Sequence, residues 1–251
     1  GLRGRARGSR FVWVIICVIH PFYESTAPHA VAVAVQTNSV ELEHWAKNQI
    51  RFPKRDVVCM PAHRQLEHFS VDHALQRLGL EAADVHVVHD DNLKPHIERP
   101  NSTATHQAIS IAHQTDGDVC HALVALGSSP IGCDIECERI SLPRIAHRVM
   151  STEEGDEHSS IAQLCAIWTV KESMFKALGP QLDFRRDLRV ILPPDWNPDI
   201  ETTWTIEGLV RGHQYRWNIW NKRSPITNAT LWMCCGPMIE PLTLGDSDTP
   251  K

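Results

Sequence analysis

A chain of 251 residues, 42% hydrophobic and 22% charged, has ordinary globular composition and room for one large domain or two small ones. Its formal net charge of -5 gives no general pull toward nucleic acid or anionic membranes. The 8 cysteines include no CxxC pair and lie in a long chain, which argues against a disulfide-rich secreted scaffold and for buried thiols in a reducing compartment.

In chain order, Arg3, Arg5, Arg7 and Arg10 precede the apolar run FVWVIICVI at 11–19, which is too short to span a bilayer. It reads as a signal-peptide core, a buried strand or an upstream extension. Residues 1–28 are expected to lie outside the fold and to be dispensable. HAVAVAVQ, 29–36, alternates and is rich in Val, so it predicts a strand. Residues 61–80 predict a helix, with Pro61 at its first position and Gly79 at its end. A strand at 84–90 leads to the loop DNLKP. The segments 108–113, 120–126 and 131–136, joined by QTDGD and GSSP, predict a three-stranded antiparallel meander. The best helix spans 161–178: Ser160 and Gln163 have capping-box spacing, and Gly179-Pro180 stops it. Short strands follow at 188–192, 201–206, 214–220 and 229–234, and residues 241–251 are expected to be a disordered tail. Asn101-Ser-Thr and Asn228-Ala-Thr are glycosylation sequons only if the protein is secreted. Strands and helices mix without βαβ alternation, so the fold class is α+β.

Two segments carry chemistry. Asp134 and Glu136 are two apart in a strand and point to one face, where a hard divalent cation would relieve their repulsion. The bland reading is a strand end running into the solvated turn ECER. On the helix, Ile161, Leu164, Trp168, Phe175 and Leu178 fall on one stripe, and Glu172 projects within it. A carboxylate on a core-facing stripe is costly unless paired or metal-bound. The bland reading here is a Glu172–Lys176 pair at i,i+4 on a solvated face. Together, a strand with two carboxylates and a helix with a third can make a three-acid Mg²⁺ site, with lysines alongside to meet phosphates. Zinc fits poorly, because Cys133 and Cys137 lack His or Cys partners at the usual spacing.

GCDIE at 132–136 and WTVKESMFKALG at 168–179 resemble the two signature motifs of the 4′-phosphopantetheinyl transferases, in order and in separation. RVMSTEE at 148–154 resembles the short segment between those motifs. SIAH at 110–113, NLKP at 92–95 and HRQLEHFSVDHALQRLG resemble the family's upstream elements. The resemblance covers about residues 29–235 and is of the long, two-halved kind. It implies two pseudo-symmetric α+β halves with antiparallel sheets, at 29–127 and 128–240, with coenzyme A in the cleft between them and a monomeric chain.

The reaction so implied moves phosphopantetheine from coenzyme A to a serine of an apo acyl or peptidyl carrier protein, releasing adenosine 3′,5′-bisphosphate. Asp134, Glu136 and Glu172 would hold Mg²⁺, and Glu172 would also serve as base, directly or through water. Lys176 would meet the leaving phosphate and Lys171 would assist phosphate binding. His113 and Lys94 would meet the 3′-phosphate, with Arg64 and His73 compensating for departures from the family pattern. Those departures are Ala112, where Ser or Thr is usual, and Val71-Asp72, where Gly-Arg is usual. Asp72 would repel a donor phosphate if it faced one. Trp168 is expected to anchor the core. No nucleic-acid or membrane partner is implied, and the location implied is the cytoplasm. Two other classes fit the residues: a different Mg²⁺-dependent phosphoryl or nucleotidyl transferase, and a non-catalytic carrier-protein-binding module.

Overall fold

The computed structural model describes residues 18–26, 29–100, 108–156 and 158–238. The apolar run's first residues, the first sequon and the tail at 241–251 lie outside them. The first half contains strands β1 (Val18–Thr26) and β2 (His29–Gln36), helices α1 (Ser39–Asn48) and α2 (Ala62–Arg77), and strands β3 (His86–His89), β4 (Pro95–Glu98), β5 (Ala108–Asp116) and β6 (Val119–Gly127). The second half contains β7 (Gly132–Cys137), helices α3 (Leu142–Val149) and α4 (Ile161–Leu178), and strands β8 (Leu188–Ile191), β9 (Thr203–Val210), β10 (His213–Arg223) and β11 (Thr230–Met238). Every strand pairing is antiparallel.

One sheet runs β1-β2-β6-β5-β4-β3 and the other β7-β11-β10-β9-β8. Setting β1 aside, the two share one plan: a strand, two helices, then four strands of which the last pairs beside the first. That is the two-halved α+β arrangement that the resemblance implies. The expectation that all of residues 1–28 stand outside the fold is corrected by β1, which pairs with β2 from Val18↔Gln36 to Thr26↔His29.

The sheets stack face to face with helices outside. β2 shows why its composition suits this place. Val31, Val33 and Val35 join the core under α1 and α2, while Ala30 and Ala32 face the other sheet. Alternation by size rather than polarity marks a strand buried on both faces. Between the sheets lie Ala112, Leu123 and Ala125 on one side and Ile131, Cys133, Ile135, Leu231 and Met233 on the other. The second helix layer packs Leu164, Ile167, Val170 and Met174 of α4 against Ile206, Trp217 and Trp232.

The expected meander is corrected. β5 and β6 form its first two strands, but β6 already has β2 on its other edge. β7 therefore crosses to the second sheet, where it pairs with β11. It still touches β5, face to face: Cys133 N–H donates to Ser110 Oγ at 2.9 Å. The halves are joined again where His121 Nε2 of β6 and Ser224 Oγ share a buried 2.7 Å hydrogen bond.

α4 matches its expected bounds. Ser160 Oγ accepts from Gln163 N–H at 3.1 Å, and Gly179 follows the last turn at φ +113. The apolar stripe is corrected. Leu164 is buried, but Trp168, Glu172, Phe175 and Leu178 are only half-buried, while Cys165, Ala166, Ile167, Thr169, Val170, Lys171, Ser173, Met174 and Ala177 are buried. A helix this apolar around its circumference is wrapped on most sides, so the widest hydrophobic stripe does not mark the core face. The seven cysteines of the described residues are free thiols, and no helix among those residues is long and apolar enough to cross a membrane.

Candidate active site

β7 lies directly against α4, and glycine permits that approach. A Cβ on Gly132 would stand 1.9 Å from Ser173 O and 2.7 Å from Ala177 N, both backbone atoms. This closeness brings Asp134, two residues on, beneath the last turns of the helix. Lys176 Nζ reaches across and donates to Asp134 Oδ1 at 2.7 Å. The lysine's partner is thus Asp134, not the Glu172 of a simple i,i+4 pair. Burial opposes charge on Lys176, yet Asp134, with Cys133 and Glu172, holds its pKa above the ordinary lysine value.

Asp134 is buried, and its second oxygen, Oδ2, has no hydrogen-bond partner among the described residues. Glu136 accepts from Trp168 Nε1 at 3.0 Å and from Arg139 at 2.9 Å. Burial and then Asp134 push the Glu136 carboxyl up to about 7, against the opposing pull of Arg139. Burial and Asp134 likewise raise Glu172. The three acids act on one another through space here, with Lys176 and Arg139 the nearby cations.

A hard cation fits these residues chemically. All donors are carboxylate oxygens, their charge is under-compensated, and one buried oxygen lacks a partner. The acids do not stand ready-gathered: among the described residues no three His, Cys, Asp or Glu side chains are grouped as around a metal ion. Lys176 and Arg139 take carboxylate oxygens instead.

Beside this acidic corner opens a cavity of about 710 Å³, walled by both halves. α2 contributes Arg64, Glu67 and His68; the β3–β4 segment contributes His89, Asp90 and Lys94; β5 contributes Ile109 and His113; and the end of α4 contributes Phe175, Lys176 and Gly179. Of the residues expected to meet the donor, Arg64, Lys94 and His113 come together here. Burial pushes His113 below the ordinary imidazole value, with Glu67 opposing and Lys176 and Arg64 adding to it.

Lys171 does not join them, and its expected phosphate contact is corrected. It is fully buried, and its ammonium donates to Val149 O, Phe184 O and Glu154 Oε2 at 2.8, 2.8 and 2.6 Å. Glu154 also accepts from Ser151 N–H and Val190 N–H, so the pair ties α4 to the RVMSTEE loop and to β8. Asp72 does not face the cavity either. Arg51 Nε donates to it at 2.9 Å and Trp45 Nε1 at 3.0 Å, which removes the expected repulsion. His73 stands edge-on to Phe69 outside the cavity wall. Trp168 stacks on Phe184 while holding Glu136.

Sequence reasoning passed over Arg139, Glu154, Arg55 and Glu67. For Arg139 the i,i+3 spacing to Glu136 was a usable signal. For Glu67 of α2, and for Arg55 in the loop before it, only their meeting with the β3–β5 face at the cavity reveals the site.

The family model described as the 4′-phosphopantetheinyl transferase superfamily matches residues 130–228. No match was found among curated proteins. The matched span opens just before Gly132 and takes in β7 with its two acids, the loop of Glu154, and the whole of α4. The contacts that shape the acidic corner thus fall within the span that is similar to the 4′-phosphopantetheinyl transferase superfamily.

Proposed function

We propose that the chain transfers 4′-phosphopantetheine from coenzyme A to a serine hydroxyl of an apo acyl or peptidyl carrier protein, acting as a Mg²⁺-dependent holo-carrier-protein synthase of the long, two-halved type. The carrying observation is Lys176. It lines the cavity between the halves and bonds Asp134 of the acidic corner, so one side chain joins the space for a donor to the carboxylates.

In this reading the nucleotide end lies in the cavity, facing Arg64, Lys94 and His113. Asp134, Glu136 and Glu172 would hold the cation, which when bound would neutralise charge on the pyrophosphate. The serine oxygen forms a bond to the phosphorus that carries pantetheine, and the bridging P–O bond breaks. The serine proton passes to Glu172, directly or through water. Lys176, kept protonated by Asp134, meets the charge growing on the leaving phosphate of adenosine 3′,5′-bisphosphate. The chain acts as a monomer, with its second half supplying the acids and its first half most of the cavity, and works in the cytoplasm, where coenzyme A and apo carriers are met.

The test is to incubate the protein with coenzyme A, Mg²⁺ and a panel of apo carriers and to follow the carriers by mass spectrometry. A phosphopantetheine adduct that disappears with EDTA is expected. Absence of adduct on every carrier, from protein shown to bind the donor, would sink the proposal in favour of a binding module.

A further inference from the structure

Glu67 of α2 is 7% exposed and stands at the cavity wall beside His113 of β5. Arg64, one turn back on α2, donates to its Oε2 at 2.7 Å and so fixes the carboxylate. The other oxygen, Oε1, is left 3.6 Å from His113 Nδ1, longer than a hydrogen bond but within ion-pair reach. Burial opposes a proton on that imidazole, as do Lys176 of α4 and Arg64 and His68 of α2, while Glu67 favours one. Arg55 and, from the β3–β4 segment, His89, Asp90 and Lys94 line the same cavity. Without an anion beside it, His113 therefore favours its neutral form. A phosphate group reverses that balance. It offsets the nearby cations, and an opposite charge within about 4–6 Å favours protonation by roughly 1–3 pH units. The His113 side chain is 34% exposed, so water screens part of this and the effect belongs at the lower end of that range. The protonated ring would stand between two anions, with Nδ1–H directed to Glu67 and Nε2–H left for the phosphate.

We propose that Glu67 is a positioning residue that lets His113 take up a proton as a phosphate-bearing ligand enters the cavity, so that binding and protonation occur together. This rests on the reading above, in which the nucleotide end of the donor faces Arg64, Lys94 and His113. Glu67 acts through His113, and its own charge stays in the wall.

The experiment is titration calorimetry of adenosine 3′,5′-bisphosphate into the intact chain and into Glu67→Gln, Glu67→Asp and His113→Gln. It is run in buffers of different ionisation enthalpy between about pH 6 and pH 8, which counts the protons exchanged. Comparison with His113→Gln subtracts the protons that the ligand's own phosphates, His68 and His89 exchange. The wild-type protein should take up about half a proton or more through His113 near neutral pH, and its affinity should fall as pH rises. Glu67→Gln should move that fall to lower pH by about one unit, and Glu67→Asp, which keeps the charge, should move it less. A merely structural role would weaken binding equally at every pH. Glu67→Gln also frees Arg64, so the pH profile, not the affinity at one pH, is the readout. An uptake that His113→Gln leaves unchanged, or a profile that Glu67→Gln does not move, overturns the role of Glu67 while leaving phosphopantetheine transfer standing. If the nucleotide does not bind the wild-type protein and coenzyme A supports no transfer, the transfer reading falls, and this inference with it.

Discussion

Two lysines five residues apart on α4 share one motif and have opposite fates. Lys176 lies at the cavity wall with a single acidic partner, and Lys171 is sealed among three acceptors. Replacing Lys176 with Met should lower kcat by roughly 10²–10³ with a smaller change in KM for the donor, as expected when a group acts on charge that develops in the transition state. A normal kcat at saturating donor would leave Lys176 only as a partner for Asp134. Replacing Lys171 with Met should act on the fold instead. It strands the buried Glu154, and breaking such a pair from one side costs about 3–5 kcal/mol. Urea unfolding should show that loss, and adding Glu154→Gln should recover part of it. Donor affinity of the folded Lys171→Met protein should be unchanged, and a weakened Kd without lost stability would restore the phosphate contact expected from sequence. The motif spacing located both lysines. It could not say which one faced inward, because three of Lys171's neighbours come from segments far along the chain.

At the scale of elements, the contact of β7 with α4 positions the chemistry. Gly132→Ala places a methyl against the helix backbone at Ser173, which cannot swing aside as a side chain would. Such overpacking costs about 1–3 kcal/mol, and here it must also lift α4 from β7 and stretch the Lys176–Asp134 bond. A lower melting temperature together with a reduced transfer rate is expected, and a Gly132→Ala protein with unchanged Tm and rate would show that the helix gives way freely. Elements with strong local signals were legible: α4 from its cap and terminal glycine, β2 from its Val/Ala alternation, α2 from Pro61 and Gly79. α1 and α3 were not foreseen, although Asn38 does cap α1, accepting from Glu41 N–H at 2.8 Å, and Pro143 opens α3. Both are short, so their periodicity is weak. The meander failed for a different reason: local turns show that strands reverse, but not that β6 already has a neighbour on each edge. The two acids of β7 and the lysines of α4 were legible as a motif. Glu67 was not, since its meaning depends on Arg64 and His113 meeting it across the cavity.

The whole molecule is one plan used twice, and the join between the copies carries a titratable group. His121 stands in β6 of the first sheet, 2% exposed, and bonds Ser224 just after β10 of the second. Burial, against the pull of a backbone bond at Gln114 and of Asp116, drives its pKa from 6.5 down to about 4. A depressed folded-state pKa means that unfolded chains take up the proton first. The stability contributed by neutral His121 is therefore full above pH 6.5 and is lost as pH falls through about 4. At 1.36 kcal/mol per pH unit, that window corresponds to a loss of about 3 kcal/mol. Glu136 works in the other direction. Its carboxyl is raised to about 7 from 4.5, so its penalty is relieved over part of the same acid range, and a raw stability–pH curve mixes the two. The clean measurement is the difference between wild type and His121→Gln, whose amide can still bond Ser224 but does not titrate. Urea midpoints for both proteins from pH 7 to pH 4 should diverge, with wild type losing about 3 kcal/mol more than the variant. Parallel curves would mean that the join opens to solvent before the proteins unfold, and that the halves are fastened by the Ala, Leu, Ile and Met contacts between the sheets rather than by this hydrogen bond.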